Sequence, residues 1–114
     1  MKLVDKQSFF AQNVAALLLY IHSLNLKCTL GEAYRTPEQA SLYAKEGKGI
    51  VDSLHCKRLA IDINLFDAQN NYLQDSESYE KLGIFWEKMH PLNRWGGRFS
   101  RPDGNHFQMQ EGAQ

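Results

Sequence analysis

The sequence predicts a small α+β domain. Three observations carry this: segments of helical period and segments of period two succeed one another in the order α, β, α, β, α, β; the chain is 114 residues long; and no repeat, linker or low-complexity tract divides it. One domain spanning residues 1–114 is therefore expected.

The first element is a helix from Lys6 to Ser23. Phe10, Val14, Leu17, Leu18 and Ile21 recur at helical spacing and form one stripe, with Asp5 or Ser8 expected to cap its start. Leu26, Cys28 and Leu30 then alternate with Lys27 and Thr29, which reads as a strand, and Gly31 allows a bulge or a close backbone approach. Thr36-Pro37-Glu38-Gln39 is a helix start: Thr36 caps, Pro37 suits the first turn and Gln39 closes a capping box. That helix should end near Gly47, and GKGIVDS reads as a flexible loop.

Leu59 to Phe66 is a strand and DAQNNYLQD a polar turn. A helix from Ser76 to Met89 places Leu82, Phe85, Trp86 and Met89 on one face, and His90-Pro91 stops it. The segment NRWGGRFSRPDGN is rich in turn residues, and a short strand from His106 to Gln110 closes the chain. Gly96 and Gly97 either let the chain turn under Trp95 or line a cleft beside His106.

Composition excludes several classes of partner. Thirteen basic residues balance thirteen acidic ones, so no electrostatic case arises for nucleic acid or an anionic membrane. No run approaches the roughly 18 apolar residues of a membrane span. Cys28 and Cys56 do not form a CxxC and are expected to be free thiols. The first 26 residues lack a signal-peptide pattern, so synthesis in a cytoplasm is expected.

The chemistry concentrates in SLHCKRLAIDINLF, residues 53–66. Asp62 sits in an apolar strand, on a face it shares with small Ala60 and polar Asn64. Seven residues separate it from His55. That is about 23 Å along a straight strand and about 10 Å along a helix. Neither lets both reach one ion at about 2 Å, so a shared metal requires a bend through Cys56-Lys57-Arg58. His106 opens the last strand just after the Pro-Asp-Gly turn at residues 102–104. Two histidines and a carboxylate form the three-ligand, open-position set of a catalytic zinc, although non-haem iron uses the same donors. Cys56 is a further candidate donor for a closed site. Each residue taken alone has an ordinary reading, as a surface histidine, a solvent-facing strand carboxylate or a turn aspartate.

SLHCKRLAIDINLF followed by PDGNHFQM resembles the M15 peptidases of the LAS group, which comprise D-alanyl-D-alanine carboxypeptidases and dipeptidases and phage L-alanyl-D-glutamate endolysins. The family pattern, Ser-x-His-x6-Asp then acid-x-x-His, is matched by Ser53, His55, Asp62, Asp103 and His106, and AYRTPEQA resembles the family's upstream arginine segment. The resemblance implies a small antiparallel sheet with flanking helices. It implies zinc held by His55, Asp62 and His106, with Asp103 as general base. Arg35 would hold a polarised carbonyl oxygen or a substrate carboxylate, and Ser53 would orient His55 or its loop. The substrate implied is the stem peptide of peptidoglycan. Family bases are often glutamate; aspartate at position 103 resembles the endolysin branch. The resemblance further implies a monomer, action at the cell wall and a holin-type partner that opens the membrane. The chain leaves no room for the wall-binding domain that many such endolysins carry.

Overall fold

A computed structural model describes residues 1–50 and 53–111. Val51 and Asp52, which fall in the loop read from GKGIVDS, lie outside the described residues, as do residues 112–114. Helix α1 spans Leu3–Ser23, strand β1 Lys27–Leu30, helix α2 Pro37–Lys45, strand β2 Ala60–Phe66, β3 Tyr72–Leu73, helix α3 Glu80–Met89, β4 Asn93–Trp95 and β5 His106–Met109. Single 3₁₀ turns occupy Leu54–Lys57, Ser76–Tyr79 and Gly96–Arg98. The class is the expected α+β, with an all-antiparallel sheet ordered β1-β2-β5-β4 and β3 paired to β2.

Helix α1 begins three residues before the expected Lys6, and neither Asp5 nor Ser8 is its N-cap. The cap position is Lys2, and Asp5 acts from inside the first turn by accepting the Lys2 amide at 3.0 Å. That placement suits the exposed amides and positive dipole end of a helix start. Helix α2 starts at Pro37 with Thr36 as its N-cap, as expected, Thr36 Oγ1 accepting the Gln39 amide at 3.1 Å; among the described residues the Gln39 side chain makes no return bond, so the expected capping box is half formed, and the helix ends at Lys45 ahead of Gly47, whose φ is +73°. The third helical segment divides into the 3₁₀ turn Ser76–Tyr79 and α3; Asp75 caps the turn by accepting from Ser78.

The core lies on one face of the sheet. Ile61, Ile63 and Leu65 of β2 and Phe107 and Met109 of β5 point into it, against Phe10, Leu17 and Ile21 of α1 and Leu82 and Trp86 of α3. Alternation along β2 turns Asp62 and Asn64 to the opposite face, which neither α1 nor α3 covers. Leu30 is 62% exposed: β1 is an edge strand, and only Leu26 and Cys28 near its start pack against the core. Strands β3 and β4 were not anticipated. Each is at most three residues long and sits in sequence dominated by turn formers. Both cysteines are free. Among the described residues no helix is long and apolar enough to cross a membrane.

Candidate metal centre

The required bend exists. Ser53 caps the 3₁₀ turn Leu54–Lys57, its Oγ accepting the His55 amide at 3.2 Å, and Arg58 leaves the turn in the left-handed region at φ 56°. This reversal brings buried His55 back over the strand that follows, so that His55 Nε2 lies 3.4 Å from Asp62 Oδ1. His106 arrives by sheet register, directly across from Asp62 on β5, with its Nδ1 3.3 Å from the same oxygen. Cross-strand partners share a face of a sheet. One turn and one strand pair thus converge three donors that sequence separates by up to 51 positions. One donor atom from each residue lies within 4.8 Å of the others.

Two glycines permit the convergence. Gly31 donates its amide to the Asp62 carbonyl at 2.8 Å, and a Cβ there would stand 3.0 Å from that oxygen. This is the close backbone approach that the glycine allows. Gly96 accepts the Asp103 amide at 2.9 Å, and a Cβ on it would fall 2.2 Å from the Asp103 carbonyl oxygen and 2.9 Å from His106 Cβ. Gly97 packs instead against the Trp95 ring, which fits the turn under Trp95. Gly96→Ala must push the 103–106 turn outward. Such overpacking is expected to cost about 1–3 kcal/mol, visible as a lowered thermal midpoint.

The electrostatics follow from the geometry. Burial is the largest single influence on Asp62 and disfavours its charge, but hydrogen bonds and charge from His106 and His55 together outweigh it and hold the carboxyl at about 2. His106 is affected first by burial, which lowers its pKa. Its bonds to Asp62 and Gln108, with the charges of Asp62 and Asp103, reverse the balance and leave it raised.

The donor chemistry fits a divalent ion. His106 Nε2 lies 2.8 Å from Gln108 Oε1, so that nitrogen donates its proton to the amide oxygen. Nδ1 must then either take a second proton or turn a lone pair toward a carboxylate. A bound cation would supply that positive charge. Donors about 2.0–2.1 Å from a tetrahedral ion stand roughly 3.3 Å apart, and both histidine-to-Asp62 separations match that edge.

The profile of the M15 peptidases, described as D-alanyl-D-alanine carboxypeptidase, matches residues 46–109. The chain belongs to this family. The structure of the Serratia marcescens L-Ala D-Glu endopeptidase ChiX superposes on this M15 peptidase with a TM-score of 0.74 at 18% identity, covering 89% of this chain and 77% of that one. That likeness shows the fold, the α+β architecture of the group. Comparison with curated proteins gives no significant match.

The remaining expected residues surround the donors unequally. Asp103 is exposed on the turn before β5; its carbonyl accepts the His106 amide at 3.1 Å, and its charge acts on His106. Ser53, besides capping the turn, accepts from Arg35 Nη1 at 3.3 Å. Among the described residues, Arg35 makes no hydrogen bond or ion pair through its guanidinium to the three donor side chains. Its guanidinium is held by Glu32, with Nε and Nη2 at 2.7 Å and 2.5 Å from Oε1, and lies over the Tyr43 ring. The Cys56 thiol faces the Thr36 carbonyl at 3.9 Å, away from the donor cluster, which removes the closed four-ligand alternative.

Three residues escaped the reading of the sequence. Glu32 lies three before Arg35, a spacing that could have signalled an ion pair. Gln108 lies two after His106 on the same strand face. Phe99 brings its ring to 5.7 Å from that of His106 while 37% exposed, at the rim of the site.

Proposed function

We propose that this M15 peptidase is a zinc-dependent enzyme that cleaves the stem peptides of peptidoglycan, acting as an L-alanyl-D-glutamate endopeptidase. The observation that carries the reading is the convergence of His55, Asp62 and His106, with both histidines at tetrahedral-edge distance from one carboxylate oxygen, in a chain of this family. His55, Asp62 and His106 would hold the ion. When bound, zinc polarises the scissile carbonyl and lowers the pKa of water toward 7.

The chain's own groups supply the rest. Asp103, on the rim and close enough for its charge to act on His106, accepts the proton of the attacking water and returns it to the leaving amine. Arg35 offers a permanently charged fork to the carbonyl oxygen or to a carboxylate of the anionic stem peptide, for which it must exchange part of its contact with Glu32. Ser53 holds the turn that presents His55. Phe99 gives the cleft an apolar edge against which a side chain of the peptide packs.

The structural likeness to an endopeptidase and the aspartate at position 103 favour this bond; the description of the matched family favours a D-alanyl-D-alanine carboxypeptidase as the second reading. Digestion of purified peptidoglycan, followed by mass spectrometry with and without a chelator, separates them. New free amino termini on glutamate, lost on chelation, are expected. Release of free D-alanine without them overturns the endopeptidase in favour of the carboxypeptidase. On this reading the enzyme is made in the cytoplasm and acts at the wall, as a monomer that a membrane-opening partner of holin type admits to its substrate.

A further inference from the structure

We propose that Glu32 is a positioning residue that orients His55 toward the ion and holds Arg35 in reserve, so that the metal affinity of the centre depends on it. The inference rests on the metallopeptidase reading and deepens it.

Glu32 is placed by backbone, not by chance of rotamer. Its neighbour Gly31 donates to the Asp62 carbonyl at 2.8 Å, and the Glu32 carbonyl accepts the Asp62 amide at 3.0 Å. The chain is thereby locked beside the central carboxylate of the cluster. The Glu32 side chain then places Oε1 3.7 Å from His55 Nδ1. That nitrogen is buried and has no hydrogen-bond partner, in a histidine only 3% exposed. A buried N–H without an acceptor costs about 1–3 kcal/mol, and Glu32 Oε1 is the acceptor that faces it. When Nε2 turns its lone pair to an ion, the tautomer places the proton on Nδ1, and a small closure completes the bond. A carboxylate on the outer nitrogen raises the basicity of a histidine ligand and fixes its ring.

Arg35 makes the arrangement tenable. Its Nε and Nη2 both meet Oε1, which fixes the Glu32 side chain in the position that faces His55. The Arg35 amide also donates to the His55 carbonyl at 3.2 Å, and Nη1 reaches the Ser53 hydroxyl that caps the His55 turn. Glu32, Arg35, Ser53 and His55 are therefore one connected set. The two histidines are supported differently: His106 by the neutral amide of Gln108, His55 by a charged group.

The test is the zinc affinity of the metal-free full chain, read by competition with a chromophoric chelator, for the native protein and Glu32→Gln. The glutamine keeps the volume and removes the charge. An affinity about 10- to 100-fold weaker is expected, with the thermal midpoint of the metal-free protein little changed and an altered absorption spectrum of the cobalt form. Zinc binding by Glu32→Gln within twofold of native overturns the proposal. If Glu32→Gln does not fold without metal, the affinity is read on Glu32→Asp, which keeps the charge but withdraws it by one methylene; native affinity there overturns the proposal equally. Failure of the native chain itself to bind zinc would refute the metallopeptidase reading instead, which keeps the two distinguishable.

Discussion

Asp103→Asn is expected to reduce hydrolysis of peptidoglycan by about 10²- to 10⁴-fold while leaving zinc content and folding unchanged. At about 1.36 kcal/mol per decade this removes roughly 3–5 kcal/mol of transition-state stabilisation. The separation of activity from structure follows from where Asp103 lies. It is exposed, and its structural bonds run through its backbone, from its amide to Gly96 and from its carbonyl to the His106 amide. Asparagine is as well suited to a turn as aspartate, so the turn that presents His106 should survive. What asparagine lacks is a site that can accept a proton and return it. Asp103→Glu is expected to recover part of the activity, since its longer side chain restores the base at a displaced position. Turnover assays paired with metal analysis check both. If Asp103→Asn hydrolyses peptidoglycan at the native rate, the base lies elsewhere. If neither native nor variant chain hydrolyses it, the domain is a zinc-containing binding module.

Helix α2 and strand β2 show why parts of the fold were legible. Thr36-Pro37 announces a helix start through side-chain chemistry that acts within four residues, and the alternation of β2 reports a buried and an open face directly. Local signals of this kind survive in one dimension. Strands β3 and β4 are different. They owe their existence to pairing with β2 and β5, at Leu65–Leu73 and Trp95–Phe107, and not to their own pattern. The start of α1 was misplaced because Asp5 caps from the first turn, where its distance to the Lys2 amide, not its place in the sequence, decides. That Leu30 is exposed was not legible either, because alternation alone does not say that a strand is an edge.

At the site, residue types and order pointed to the three donors, and the bend through Cys56 to Arg58 followed from the need for two of them to reach one ion. The left-handed Arg58 is how the chain meets that need. Glu32 and Gln108 stayed hidden because their significance is purely geometric. A glutamate three residues before an arginine is an ordinary surface pair until Gly31 docks it against Asp62. A glutamine on a strand is unremarked until its oxygen meets the outer nitrogen of His106.

Asp62→Asn should have the largest effect of any single substitution, because one oxygen of Asp62 is the point both histidines share. On the proposed reading, removing its charge takes away a ligand, so zinc affinity should fall beyond the roughly 10- to 100-fold that outer groups cost, and activity should fall to the level of the chelated native enzyme. Adding chelator to Asp62→Asn should then change nothing further. The metal-free proteins offer a second, independent reading through pH. The folded carboxyl of Asp62, at about 2, stands below its ordinary 3.8, so its stabilising contribution is complete above about 4 and is lost as pH falls toward 2. The folded pKa of His106 stands above its ordinary 6.5, so its contribution is complete below that value and is lost as pH rises through the higher one. The native metal-free chain should therefore exceed Asp62→Asn in stability most between about pH 4 and 6.5, by about 2 kcal/mol. The gap should narrow on either side. Urea unfolding at pH 3, 5 and 8 measures it, and a difference independent of pH would show that the pairing of Asp62 with the histidines contributes nothing to the fold.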